Sequence, residues 1–167
     1  GAESLAPALP RLTPAELELA ELLAANEARA ISDLTVGELT VALELASVSR
    51  QQQAHIERSA KLSWIAPGLG HRINGARGPA VAFAGADIVI GITAAVVAYA
   101  LLPPAVRYEN LNYLQSPLDA IEARWKTVTP GSLIPAASVV AAGALLQLTV
   151  RRVAAESAGA TAWEAIA

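Results

Sequence analysis

The chain has no cysteine and no methionine, two histidines and only seven aromatic residues, one Phe, three Tyr and three Trp. Without cysteine it can form no disulfide, zinc–thiolate centre or thiol nucleophile. His55 and His71 stand far apart with no ligand spacing around them, so both read as solvated. Charged residues make up 16 %, against about 25 % in an average soluble domain. The net charge of −3 gives no basic field for nucleic acid. No serine has a His/Asp set around it. Gly68-Leu69-Gly70, followed by Gly75 and Gly78, lacks the Lys-Ser/Thr of a phosphate loop and follows no strand. The chain therefore reads as non-enzymatic, with no cofactor and no metal site.

The start, Gly1-Ala2, reads as a processed end. Residues Gly1–Pro10 have neither the basic region nor the long apolar core of a secretory signal. Leu5 occupies the position where N-myristoylation wants Ser or Thr.

What the chain has in abundance is apolar sequence, 54 % of residues. It concentrates in two stretches, 79–102 and 133–150, in which Asp87 is the only formal charge. As helices they would reach about 36 Å and 27 Å, close to the ~30 Å hydrocarbon layer of a bilayer. Both far exceed a typical strand, so Ile88-Val89-Ile90 is assigned to helix. The fold class is all-α: N-terminal amphipathic helices followed by a two-span transmembrane helical hairpin.

Seven segments follow along the chain. Residues 1–12 are an extended arm holding Pro7 and Pro10. Residues 13–65 are an amphipathic helical region. Thr13-Pro14-Ala15-Glu16 and Thr35-Val36-Gly37-Glu38 are capping boxes that start two helices, the first reaching about Ala30 and the second about Ile65. Leu19, Leu22 and Leu23 share one face of the first helix, and Glu16, Glu18 and Glu21 form a solvated one. In the second, Leu39, Ala42, Leu43 and Ala46 form an apolar stripe, followed by a polar section with Glu57 and Lys61 paired at i,i+4. Residues 66–78 form a flexible, Gly-rich basic hinge, and 79–102 the first span. Residues 103–132 are a connector with a short helix after Ser116-Pro117. The second span and its helical extension occupy 133–156, and 157–167 is a tail that loosens at Gly159.

Six basic residues flank the spans on the terminal side: Arg58, Lys61, Arg72, Arg77, Arg151 and Arg152. The connector holds three: Arg107, Arg124 and Lys126. The positive-inside tendency then puts both termini on the cytoplasmic or equivalent side.

Asp87 is the sharpest candidate site residue. If Gly78 and Arg151 stand level, it lies about 12 Å deep, opposite Ala142 and Gly143, with Gln147 a turn away as a bonding partner. Asp87, Gln147 and Thr93 are the intramembrane polar set, either a structural contact or the lining of a polar path. Ala82, Ala86, Ala137, Ala141 and Gly143 supply small faces for close helix packing. Arg72, Arg77, Tyr99, Tyr108, Trp125, Arg151 and Arg152 are placed at the lipid headgroups and interface.

The function expected is that of a non-enzymatic integral membrane structural or assembly subunit of a larger complex, formed with other proteins or with copies of itself. Its partners are the lipid bilayer and, through helices 13–65, other subunits or copies of itself. The alternatives are a pore or membrane-penetrating protein of holin or virion type, a switchable soluble bundle, and a filament or capsid subunit packing its apolar hairpin against copies.

Overall fold

The computed structural model describes residues 12–27 and 34–167, and the arm expected at 1–12 lies outside that set except for Leu12. All regular structure among the described residues is helical. Both capping boxes form. Thr13 N–H donates to Glu16 at 2.7 Å and Thr35 N–H donates to Glu38 at 2.7 Å. They start α1 (Pro14–Ala25) and α2 (Val36–Ile65). The expected extension of the first helix to Ala30 runs beyond the described residues; α1 itself closes in a turn at Asn26.

Pro67 ends α2, because the residue before proline is pushed out of the helical region. The segment expected to be a flexible hinge is instead a packed corner. Gly68, at φ 90°, turns the chain into a five-residue helix, α3 (Leu69–Ile73). Gly70 fits flush on α2: a Cβ there would overlap the Ser59 carbonyl oxygen. Its N–H donates to Ser63 Oγ at 2.9 Å. Small residues on both elements make this approach possible, and Ser59 and Ser63 are fully buried.

The two apolar stretches form α4 (Arg77–Leu101) and the first part of α6 (Pro130–Glu164). Pro79 falls in the first turn of α4, where its missing N–H is tolerated. Pro103-Pro104 ends α4 and begins a 3-10 turn, Pro104–Val106. Between them comes α5 (Leu118–Lys126), which follows Pro117. Pro130 begins α6, and Pro135 removes one hydrogen bond near its start.

The tail expected to loosen at Gly159 is helical to Glu164. Its Ala154, Ala158 and Ala162 form a buried ridge at i,i+4 spacing, and Gly159 faces Ile56 and Ala60 of α2. Packing against α2 thus overrides the local helix cost of the glycine. The result is a base of α1, α2, α3 and the second half of α6, from which α4 and the first half of α6 project side by side.

Burial runs opposite to that of a soluble bundle. The buried residues are mainly Ala, Ser and Thr with Gly143 and His71, while Val81, Ile88, Val89, Ile92, Val96, Leu145 and Leu146 are exposed. Two helices are long and apolar enough to cross a membrane, and their most apolar windows are 0 % and 11 % buried.

Candidate functional site: the α4–α6 seam and its base

α4 and α6 run antiparallel, and three contacts fix their register. Arg151 pairs with Asp87 at 3.3 Å. Gln147 Nε2 donates to the Asp87 backbone carbonyl at 3.1 Å and lies over Gly91. Gly143 fits against Ala94, where an added Cβ would stand 2.5 Å from the Ala94 methyl. Asp87, Gly91, Ala94 and Ala98 follow the i, i+4, i+7, i+11 spacing of one helix face.

This register differs from the sequence expectation. Arg151, not Ala142, stands level with Asp87, a slip of roughly two and a half turns. Ending both spans together would set Arg151 beside Gly78, but α6 continues into the base, and its contacts with α2 and α3 slide it along α4. Arg151 is therefore the cation of an intramolecular pair. Gln147 reaches Asp87 only at the backbone carbonyl, while the carboxylate takes Arg151. Thr93 stands apart, on the wall of an apolar hollow of about 290 Å³ beside Ala94, Gly143 and Leu146.

Among the residues expected to pack helices, Gly143 is buried in the seam. Ala82, Ala86 and Ala141 are exposed, and Ala137 borders a hollow with Ala98 and Ala136. Small pairs recur everywhere in this Ala-rich sequence; the polar contacts of Asp87 select which of them meet.

The far end of the pair is tied by Arg107. Its guanidinium donates to the carbonyls of Leu102 at 2.8 Å and Ala100 at 2.6 Å, capping the negative C-terminal end of α4. Tyr113 Oη donates to the Val106 carbonyl at 2.6 Å. Tyr99, Tyr108 and Trp125 are exposed at this end. Among the described residues α5 packs on no other helix, and its only neighbour among their regular elements is the 3-10 turn. It carries Leu118, Ile121 and Trp125 on one stripe, and Leu118 is 84 % exposed.

The base holds a polar cluster that the sequence did not announce. His71, expected in solvent, is fully buried. Its Nε2 lies 3.0 Å from Ser157 Oγ and its ring stacks on Phe83 with centroids 5.0 Å apart, while its Nδ1 has no hydrogen-bond partner among the described residues. Burial pushes its pKa below the ordinary histidine range, so the ring is neutral at pH 7. His55, also expected in solvent, is half-buried, with Nε2 3.0 Å from Asn74 Oδ1. The same oxygen accepts from Ser59 Oγ at 3.1 Å, and Asn74 Nδ2 donates to the Ala158 carbonyl at 3.1 Å. Asn74 thus joins α2 to α6 across the corner. A lone Asn in a Gly-rich segment reads as turn chemistry, which hid this role.

Glu16 also departs from the solvated face. Gln53 Nε2 donates to its carboxylate at 3.0 Å, which docks α1 on α2. The Thr13 backbone N–H, above all, holds the Glu16 pKa below the usual carboxylate range. Glu57 and Lys61 pair at 2.8 Å on the exposed face, as their spacing predicts. Arg152 pairs with Glu156 at 2.9 Å. Arg72 and Arg77 are exposed and make no ion pair or side-chain hydrogen bond among the described residues. No three His, Asp or Glu side chains gather into a metal-sized group among the described residues.

Compared with known proteins, the chain matches no family model, no curated protein and no solved structure.

Proposed function

We propose that the chain is a non-enzymatic, membrane-embedded assembly subunit. In this reading α4 and the first half of α6 cross the bilayer as an antiparallel pair. The base stays on one side, and α1 with the first half of α2 meets other subunits or copies of the chain. The carrying observation is the inverted burial: large aliphatic side chains outside, small residues in the seams. In water, so much contiguous apolar surface invites association. In lipid, close approach of small residues is what holds helices together.

The Asp87–Arg151 pair marks one edge of the hydrocarbon slab in this reading. From Gly131 to Val150, α6 carries no formal charge and rises about 30 Å, a full hydrocarbon thickness. A polar pair at that edge costs far less than one at the midplane. Outside the slab, Leu17, Leu23, Val36, Val41 and Leu43 remain exposed on α1 and α2, which suits partner contacts. The positive-inside tendency puts the base on the cytoplasmic or equivalent side.

The test uses the absence of cysteine. Glu57→Cys on the base and Glu122→Cys on α5 are made singly and reconstituted in sealed vesicles. The protein should resist alkaline carbonate extraction, and an impermeant maleimide should reach the two positions from opposite sides. Release by carbonate, or labelling of both from one side, removes the transmembrane reading.

A further inference from the structure

We propose that a trough between α4 and the α2–α3 corner binds one anionic phospholipid, with its phosphate held by Arg72 and Arg77 and an acyl chain running past Ile88. This rests on the membrane reading above and gives that surface a specific ligand.

Three adjoining hollows make the trough, with volumes of about 490, 280 and 250 Å³. Arg72, Ala80 and Val81 are shared by the first two, and Ala66, Pro67 and Ala84 by the second and third. It therefore follows α4 from Arg77 to Ile88, roughly 16 Å by helical rise. The floor is concave because small residues line it. Gly68, in its left-handed conformation, rests on the Ala80 carbonyl so closely that a Cβ would overlap it. The walls are aliphatic: Ile65 is 70 % and Val81 73 % exposed.

Charge separates the two ends. Arg72 and Arg77 border the upper hollow with no acidic partner among the described residues, and no Asp or Glu occurs between Glu57 and Asp87. At the lower end Asp87 is bound to Arg151. The mouth is thus cationic and the rest apolar, which matches a phosphodiester carrying hydrocarbon. A free phosphate would leave the aliphatic walls wet. The level also fits. Val81 stands about 9 Å along α4 from Asp87, just beyond the roughly 5–7 Å of one headgroup layer. Arginine stems reach that level while their aliphatic carbons cover apolar surface.

The full chain is reconstituted in nanodiscs of equal phosphatidylglycerol and phosphatidylcholine, then released for native mass spectrometry. The expected result is one retained phosphatidylglycerol per chain, enriched about tenfold over phosphatidylcholine. Arg72→Gln with Arg77→Gln should bring the ratio near one. Ala84→Trp, which fills the trough without touching its charge, should reduce retention of both lipids. Equal retention by the wild type, or an unchanged ratio in the double Arg variant, overturns the proposal. Loss of the preference in excess inorganic phosphate with the wild type would make this an anion site and overturn the lipid assignment. Flotation with vesicles is read in parallel for every variant. A chain that does not float at all refutes the membrane reading, whereas one that floats without lipid preference refutes only the trough.

Discussion

Replacing Arg151 by Gln leaves the Asp87 carboxylate facing α6 without its cation. Asp87 is 16 % exposed and Arg151 36 %, so both groups are partly withdrawn from water. Opposite unit charges 3.3 Å apart attract by ~5 kcal/mol at an effective dielectric of 20. Desolvation of both groups, and water at the more exposed guanidinium, cancel most of this and leave a coupling of about 1–2 kcal/mol. A double-mutant cycle of Asp87→Asn and Arg151→Gln isolates that quantity. Arg151→Gln should be the worse single change, by about 2–3 kcal/mol, because it strands a part-buried charge. Asp87→Asn should cost about 1–2 kcal/mol, and the double variant clearly less than the sum. Reversible unfolding in mixed micelles, titrated with dodecyl sulfate and followed by circular dichroism, gives the four free energies. Additivity within about 0.5 kcal/mol would refute the register itself. A chain with Arg151 level with Gly78 would show no coupling between these positions.

Gly70→Ala drives a methyl into the Ser59 carbonyl and to 2.7 Å from Ser63 Oγ, so thermal unfolding should register a loss of about 2–4 kcal/mol. Gly78→Ala meets nothing within 4 Å and should change stability by less than about 1 kcal/mol in the same melt. For His71, burial lowers the folded pKa, so the unfolded chain takes a proton first as pH falls. Stability should be flat above about pH 7 and drop below about 6.5, at no more than ~1.4 kcal/mol per pH unit, until the folded ring itself titrates. His71→Gln should remove that slope in denaturant titrations across pH, and a slope that survives assigns it to another group. Lys61→Ala should cost less than about 0.5 kcal/mol, since the Glu57 pair is solvent-exposed. With Trp64 and Trp163 changed to Phe, Trp125 emission should shift to the blue on reconstitution and be quenched best by lipids brominated near the glycerol; water-like emission would show α5 standing off the surface.

The sequence carried the helix starts well. Thr13/Glu16 and Thr35/Glu38 act within four residues, so their spacing alone determines the outcome. The apolar stretches were equally legible, because composition over twenty residues needs no knowledge of neighbours. Register was not. It depends on how far α6 runs past Arg151, and Gly159 argued locally for a break that the Ala154–Ala158–Ala162 ridge prevents. The corner was hidden for a related reason. Gly68 and Gly70 look like flexibility when the surface they fit is unseen, yet Gly70 is there because only a hydrogen fits against Ser59. His71 and Asn74 find partners more than eighty residues away in Ser157 and Ala158, a pairing no local pattern encodes.

α6 is one uninterrupted helix of 35 residues, about 52 Å long, with one end in the apolar pair and the other against α2. Such a rod acts as a lever. A tilt of about 10° around its middle swings each end by roughly 4–5 Å, and bilayers of different thickness set different tilts. The Asp87–Arg151 pair and the Asn74 bonds clamp α4 and α2 to this rod, so neither can stay behind. With α4 and α6 in a bilayer, as proposed, its thickness would become a position of α1 and α2.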